Sequence, residues 1–407
     1  MNMKILFVTG LYPKESQEQL RELSGNRLQN APNVFQWSIV EGLFDNDCDF
    51  DVVSFPFLPS YPLKFSHIYT PSAPIMYKGK NIGDMLSYNA LAVYKYYSIK
   101  KRLKSYVGLW IERNKSDYSQ LVVLTYTSHP SFVEAIVESA KKCANIKIAS
   151  IITDLVDNMS NFSANRSLLK RIQCNVERIR TKAIYKHIDN FILLTKAMEE
   201  KIPEAVACNM VLEGLAPCNN YERKTVTNRE YTTFFYSGSL DEFTCVGDLV
   251  NAFMLIRNPR CKLIICGDGA LKSYIVEMAD KDKRIEYLGM VSRENSVKFQ
   301  KQATCLVNPR KPNGDITKYS FPSKTIEYMI SGTPMIGYKL EGIPKEYHQH
   351  MYIPKDLSNE SLAEMMVCIA DTDQLILNNK ADEANKFIVQ NKTSFEQVKR
   401  IIQFVRG

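Results

Sequence analysis

Residues 319–338 read YSFPSKTIEYMISGTPMIGY, a short apolar helix pattern that is stopped by glycine and proline and runs directly into a strand pattern. Pro322 supplies a preset φ near the helix start, Ser323 offers a hydroxyl to free backbone N–H groups, and Gly332 followed by Pro334 ends the helix. The first turn then presents N–H groups, the positive end of the helix dipole and the cation of Lys324, a combination that suits a phosphate. Glu327 lies about a turn deeper, where a carboxylate accepts hydrogen bonds from sugar hydroxyls.

The same helix-to-strand rhythm extends outward from this stretch. FFYSGS, CKLIICG, IEYLG, TCLVNP and TPMIGY read as strands, separated by helical patterns that start near Val246, Ala270, Arg293 and Pro322. In the first half, strand patterns fall at 4–9, 51–55, 121–126, 146–153 and 190–194, with helical patterns at 32–45, 131–143 and 166–188. Alternation of this kind implies parallel βαβ units and an α/β fold of two doubly wound, Rossmann-like domains. The expected division is 1–213 for a first domain and 214–391 for a second. An amphipathic helix at 392–407 either closes the second domain or crosses back to the first. Ligands of such sheets sit at the carboxyl ends of the strands, here Gly10, Gly238, Gly267, Gly289 and Asn308-Pro309-Arg310, so a cleft between the domains is expected.

Composition fits this reading. The chain has 407 residues, 45% hydrophobic and 24% charged, the balance of a globular protein long enough for about two to three domains. The opening MNMKILFVTGLYP ends at Tyr12-Pro13 with no small-residue cleavage site, which favours a buried strand over a signal peptide, and no run reaches membrane-spanning length. A cytoplasmic location follows as the expectation. The 10 cysteines are scattered without C-x-x-C, and Cys261 and Cys266 read as core thiols. His348 and His350 form an isolated H-x-H for which an exposed loop pair is the simpler reading, so no metal site is expected.

With these residues on the page, the run from FFYSGSL through LIICGDG, EYLGMV, NPR and YSFPSKTIEYMISGTPMI resembles the C-terminal, nucleotide-sugar-binding domain of glycosyltransferase family 4, which has the GT-B fold. The order and spacing of these elements match over roughly 232–354, while the first domain resembles the family only in layout; the resemblance implies acceptor binding by 1–213 and donor binding by 214–391. The resemblance implies retaining transfer of a hexose-type sugar from a UDP- or GDP-linked donor, with no metal or other cofactor, to a glycan or polyprenyl-linked acceptor in bacterial capsule or O-antigen synthesis. It places the donor on Ser320, Phe321, Pro322, Ser323, Gly238, Ser239, Gly267, Gly269 and Val291, with Glu327 on the ribose. Two departures stand out. Tyr319 occupies the position of the family's first glutamate, and Ser239 and Val246 stand where members place an Arg and a Lys on the diphosphate. Arg310 and Lys324 are the substitutes, each at a predicted strand end or helix start. A solvated helix residue for Glu327, a surface lysine for Lys324 and turn glycines for Gly267 and Gly269 are the plainer alternatives.

In the first domain, Gly10 is expected on the acceptor side. His129 in YTSHPSF and Asp154 in SIITDLVDNM fall at strand ends, where they either orient the acceptor and transferred sugar or simply cap helices. The formal net charge of +8 is concentrated in residues 1–200, which carry +6. The segments 89–115 and 166–187 are rich in Lys and Arg, the first interleaved with Tyr94, Tyr96, Tyr97, Tyr106 and Trp110. They suit the headgroups of an anionic membrane, a solvated basic face being the alternative, and no nucleic-acid motif accompanies them. Two rival functions remain from the sequence: a catalytically degenerate homologue that binds a nucleotide-sugar or a partner transferase, and another GT-B enzyme, inverting or epimerising.

Overall fold

The computed structural model describes residues 2–92, 94–141, 143–155, 168–216 and 230–407, with the backbone alone over 168–173. Arg166, the polar stretch 217–229 at the expected domain join, and the side chains of Lys170 and Arg171 lie outside the described residues. The chain divides into two compact units, Met1–Leu215 with Ser394–Gly407, and Ala216–Thr393.

The first unit is built on an eight-stranded sheet. Its strands are β1 (Met3–Thr9), β2 (Asp49–Ser54), β3 (Ala73–Tyr77), β4 (Lys80–Met85), β5 (Gln120–Tyr126), β6 (Ile146–Ile152), β7 (Asn190–Leu193) and β8 (Asn209–Val211). They are ordered β3-β4-β2-β1-β5-β6-β7-β8, and all neighbours are parallel except β3 and β4. The order reverses between β1 and β5, so the exits Gly10 and Thr127 flank a switch point. Strands β1 and β5 are apolar runs covered on both faces, as parallel strands must be.

The hairpin β3–β4 has no apolar alternation to betray it. Lys80, Asn81 and Asp84 are polar, and the tight turn rests on positive φ at Lys78 and Gly79. Gly83 lets β4 approach β2, since a Cβ there would lie 1.8 Å from the Val52 carbonyl oxygen.

The second unit carries β9 (Thr232–Ser237), β10 (Cys261–Cys266), β11 (Ile285–Tyr287), β12 (Cys305–Val307) and β13 (Met335–Ile336). They form a parallel sheet in the order β11-β10-β9-β12-β13. Apolar clusters lie on both faces. One holds Leu249, Phe253, Ile275 and Met366, and the other holds Ile326, Met329, Tyr347 and Ile388. Helices on both sides of a parallel sheet make each unit Rossmann-like. Cys261 and Cys266 are buried in this core.

Three features differ from expectation. Trp110 is buried and its indole N–H donates to Asp51 Oδ2 at 2.8 Å, so it is a core residue of helix Lys95–Asn114 rather than an interfacial ring. Lys95 is buried as well. Lys100 reaches Glu134 and Glu138 at 2.8 Å, Lys104 reaches Glu138 at 2.8 Å, and Arg180 reaches Glu134 at 2.8 Å. Much of the basic composition is therefore spent on tying helices Lys95–Asn114, Pro130–Ala140 and Leu168–Tyr185 together. Among the described residues, no helix is long and apolar enough to cross a membrane.

The last helix, Ser394–Arg406, packs in the first unit, with Val398, Ile401, Ile402 and Val405 in the cluster that holds Ile39, Val40 and Leu43 of helix Asn30–Asp45. The crossing depends on Gly42, where a Cβ would lie 2.4 Å from the Ser394 carbonyl oxygen and 2.4 Å from Val398 Cγ2. Gly42→Val is expected to lift this helix and cost about 1–3 kcal/mol, as overpacking does, measurable as a lowered denaturation midpoint with earlier proteolysis near 394–407.

Candidate functional site

At the carboxyl edge of the second sheet the strand exits are stitched together. Gly238 N–H donates to Cys266 O at 2.9 Å, Gly267 N–H to Gly289 O at 2.9 Å, and Leu240 N–H to Asp268 O at 3.0 Å. Gly267 has φ 144° and Gly269 has φ 158°. A Cβ on Gly267 would lie 1.8 Å from Gly238 O, and one on Gly269 would lie 2.7 Å from Leu240 O. These glycines let one backbone segment approach another, so their role is fixed before any ligand arrives.

Gly238 serves a side chain. A Cβ there would meet Lys324 Cε at 2.7 Å and the Tyr236 hydroxyl at 2.8 Å, so the lysine stem runs across the exit of β9. Lys324 opens helix Lys324–Ile330 and its ammonium lies 5.7 Å from the Tyr328 ring centroid. Burial lowers its pKa from the ordinary lysine value, opposed by nearby Glu327. Among the described residues no ion pair or hydrogen bond reaches it.

Glu327 is oriented. Gln300, fully buried at the end of helix Arg293–Gln302, donates Nε2–H to Glu327 Oε1 at 2.6 Å. The Gln300 carbonyl in turn accepts the Thr333 hydroxyl at 2.8 Å. Ser323 does not cap the helix with its side chain; backbone bonds from Thr325 N–H to Pro322 O at 2.9 Å and from Glu327 N–H to Ser323 O at 3.1 Å close the first turn instead. Gly332, at φ 71°, ends the helix as its sequence position implied.

Arg310 leaves the exit of β12. Its Nη2 donates to Ser320 Oγ at 3.1 Å and to Ile316 O at 3.4 Å, both neutral, and its Nε is buried without a partner. Burial lowers its pKa. Ser320 is thus a neighbour of Arg310. Phe321 and Pro322 are buried, with the Phe321 ring 5.5 Å from Tyr347, Ser323 is exposed, and Val291 packs half-buried on the core. Tyr319 is buried, and Val246 is a fully buried core residue of helix Val246–Leu255. The Ser239 hydroxyl donates to the Asp241 carboxylate, and its carbonyl accepts the Tyr236 hydroxyl at 2.7 Å. Neither Ser239 nor Val246 supplies a cation to this edge.

In the first unit, Gly10, His129 and Asp154 follow the neighbouring strands β1, β5 and β6. Gly10 donates its N–H to Gln36 Oε1 at 2.7 Å, and a Cβ on it would overlap the Phe57 ring at 2.3 Å. His129 caps helix Pro130–Ala140, its Nδ1 accepting the Ser131 N–H at 3.2 Å, while Nε2 lies 3.5 Å from Glu177 Oε1. Nε2 is buried and has no hydrogen-bond partner among the described residues. Asp154 is exposed, with the Thr153 hydroxyl 3.3 Å from its Oδ2. Among the described residues no group of three His, Cys, Asp or Glu is arranged to hold a metal. Gln300, Gln36 and Phe57 were not singled out from the sequence, because their partners lie far away along the chain.

Residues 231–371 match the family model described as Glycosyl transferases group 1. No curated protein sequence matches the chain. Among solved structures, sucrose-phosphate synthase from Thermosynechococcus elongatus is similar at TM-score 0.62 and 14% identity, covering 99% of this chain and 98% of that one. The lipopolysaccharide outer core galactosyltransferase WaaB matches at TM-score 0.60 and 13% identity over 99% of both chains. Anabaena HepE, solved with UDP-glucose, matches at TM-score 0.56 and 12% identity, again over 99% of both. The fold is GT-B. With the family-model match, it supports a glycosyltransferase.

Lys95 offers a separate electrostatic check on the first unit. It is buried beside Tyr96, whose ring lies 4.6 Å from His129, with the Leu58 carbonyl as its hydrogen-bond acceptor. Burial holds its pKa at about 8. Between that value and roughly 10.4 the unfolded chain keeps a proton that the folded chain sheds, so this residue makes stability rise with pH. Lys95→Met is expected to stabilise the protein at pH 7 by on the order of 1–2 kcal/mol, net of the lost hydrogen bond, with the gain vanishing toward pH 10 in denaturation at both pH values.

Proposed function

We propose that the chain is a retaining glycosyltransferase of the family 4 type, moving a hexose-type sugar from a UDP- or GDP-sugar to a glycan or polyprenyl-linked acceptor in bacterial surface polysaccharide synthesis. The observation that carries it is the pairing of Lys324, half-buried with no ion pair or hydrogen bond among the described residues, and Glu327, held from behind by buried Gln300. A diphosphate satisfies the first and ribose hydroxyls suit the second. HepE, similar in fold, was solved with UDP-glucose, which supports a nucleotide-sugar.

In this reading Lys324 and Arg310 neutralise the departing diphosphate, so that no metal ion is needed for the leaving group. Unit one takes the acceptor, with Gly10 and Asp154 at strand exits. Asp154, exposed, is the better placed to meet an acceptor hydroxyl, because His129 spends Nδ1 on its helix cap and Nε2 is buried. Family 4 assignment and retention of configuration rest on the resemblance of the second unit. A second reading is favoured by buried Tyr319 and core Val246, which remove familiar donor contacts: a homologue that binds the nucleotide-sugar without transferring it.

The test is thermal denaturation of the full chain with UDP, GDP and their sugar conjugates. One nucleotide should raise the midpoint by several degrees at saturation, and Lys324→Ala and Glu327→Ala should each weaken that shift. No shift with any nucleotide sinks the donor assignment, whereas a shift without product formation across acceptors selects the non-catalytic reading.

A peripheral position on the inner face of the plasma membrane completes the proposal. Exposed Tyr94, Tyr97 and Lys101 follow one helical stripe, with exposed Arg102 beside them, and neither cation has a carboxylate partner among the described residues. Flotation with vesicles rich in anionic lipid should retain the protein, and Lys101→Glu/Arg102→Glu should release it, the effect fading at high salt. Equal binding by wild type and variant would remove this face from consideration.

A further inference from the structure

Residues 52–111 carry eight Lys and Arg and a single acidic residue, Asp84. Within them the chain leaves the first sheet twice, after β2 and after β4. Both strands run parallel with β1, so both excursions start from the carboxyl edge that also holds Gly10. Hydrogen bonds stitch the two excursions into one platform: Tyr61 N–H donates to Ala90 O at 2.9 Å, Ala90 N–H to Ile68 O at 2.6 Å, and Thr70 N–H to Tyr88 O at 3.0 Å. Tyr88 adds its own N–H to Thr70 Oγ1 at 2.9 Å and its hydroxyl to Pro56 O at 2.6 Å. Leu58, Phe65 and Ala90 root the platform in the core that contains Leu11.

What this platform leaves in water is apolar. Leu63 is 91% exposed and Tyr69 60%, with Ile68, Leu91, Tyr94 and Tyr97 exposed as well. Tyr61 bridges Leu91, and the rings of Tyr94 and Tyr97 lie 5.1 Å apart, which carries the apolar surface on to the start of helix Lys95–Asn114. Phe65 is buried two residues beyond Leu63, so the outward leucine is not what anchors the loop. Lys64, Lys101 and Arg102 are exposed, without a carboxylate partner among the described residues. Apolar side chains, tyrosines and unpaired cations on one platform and the helix it feeds match the acyl chains, interface and phosphates of a bilayer.

We propose that this platform is a lipid-insertion element: Leu63, Ile68 and Tyr69 enter the acyl boundary of an anionic bilayer, while Lys64, Lys101 and Arg102 meet its phosphates. It rests on the peripheral position and the acceptor edge proposed above, and adds to them a hydrophobic anchor and a substrate class. Charge attraction alone fades in salt, whereas burial of apolar area does not, so the anchor holds where the cations are screened. Because the platform grows from the edge of Gly10, seating it in the bilayer brings that edge to the membrane surface. The acceptor it meets there is one held by an apolar chain rather than a water-soluble glycan.

Vesicles of phosphatidylglycerol and phosphatidylcholine test this with the full chain. Leu63→Trp should gain a fluorescence that lipid brominated in its acyl chains quenches, beyond any quenching of wild type. Leu63→Ser/Tyr69→Ser, altered only at exposed positions, should melt with wild type and partition into the vesicles roughly tenfold more weakly, a loss that persists at high salt. Vesicle binding without quenching at position 63, or with no loss in the serine variant, overturns insertion and leaves the peripheral position standing. If wild type binds no vesicle, both fall, and the nucleotide-dependent stabilisation that tests the donor reading is unaffected. Sugar labelled in the preferred donor should pass into the organic phase of a bacterial lipid extract; label found only in water-soluble glycan, or in neither, overturns the acceptor class.

Discussion

A parallel sheet delivers all its strand exits to one edge, and in the second unit the order β11-β10-β9-β12-β13 decides which exits become neighbours. Because β9 is central, Gly238 has Gly267 on one side and Asn308-Pro309-Arg310 on the other. The helices must then cover both faces of the sheet, which puts the start of Lys324–Ile330 beside the same exit. Residues up to about ninety positions apart become one surface without any of them choosing it individually.

Close packing of that edge limits what its residues can do. With a Cβ on Gly267 falling only 1.8 Å from Gly238 O, the backbone there is a fitted joint, and its loops satisfy one another through hydrogen bonds. Chemistry is left to side chains projecting from the joint. Of these, Glu327 is anchored by Gln300, and Arg310 is half-satisfied by Ser320. A surface preset in this way need not reorganise when charge develops on a leaving group, which is where electrostatic stabilisation is most effective.

The strands of this sheet were legible because each is a short apolar run closed by Gly or Pro, and the spacing of those runs carried the doubly wound fold. What was illegible has physical causes. Strands β3 and β4 are polar and held by a tight turn, and β8 has 3 residues, so neither shows a period. The contact of Gln300 with Glu327 spans 27 positions and leaves no local trace. The basic helix was judged by composition when its period held the answer: 95, 99, 103, 107 and 111 form one stripe, and Lys95 lies on it with Ile99, Leu103, Val107 and Ile111, all buried. Counting charges overstated the free basic surface because it could not see Glu134 and Glu138 beneath.

Cations elsewhere in the second unit show what the site lacks. Lys311 has Asp248 at 2.6 Å, Arg284 has Asp282 at 2.6 Å, and Lys392 has Glu346 at 2.6 Å. Removing a charge from water is costly unless a counter-charge is supplied, and these three have one. Lys324 and Arg310 have no ion pair among the described residues, and burial lowers the pKa of both, with Glu327 opposing the shift at Lys324. Two such cations at the exits of adjacent strands β9 and β12 impose a stability cost that the fold offsets only in part. An anionic ligand at this edge offsets it, so donor binding and the relief of buried charge become one event.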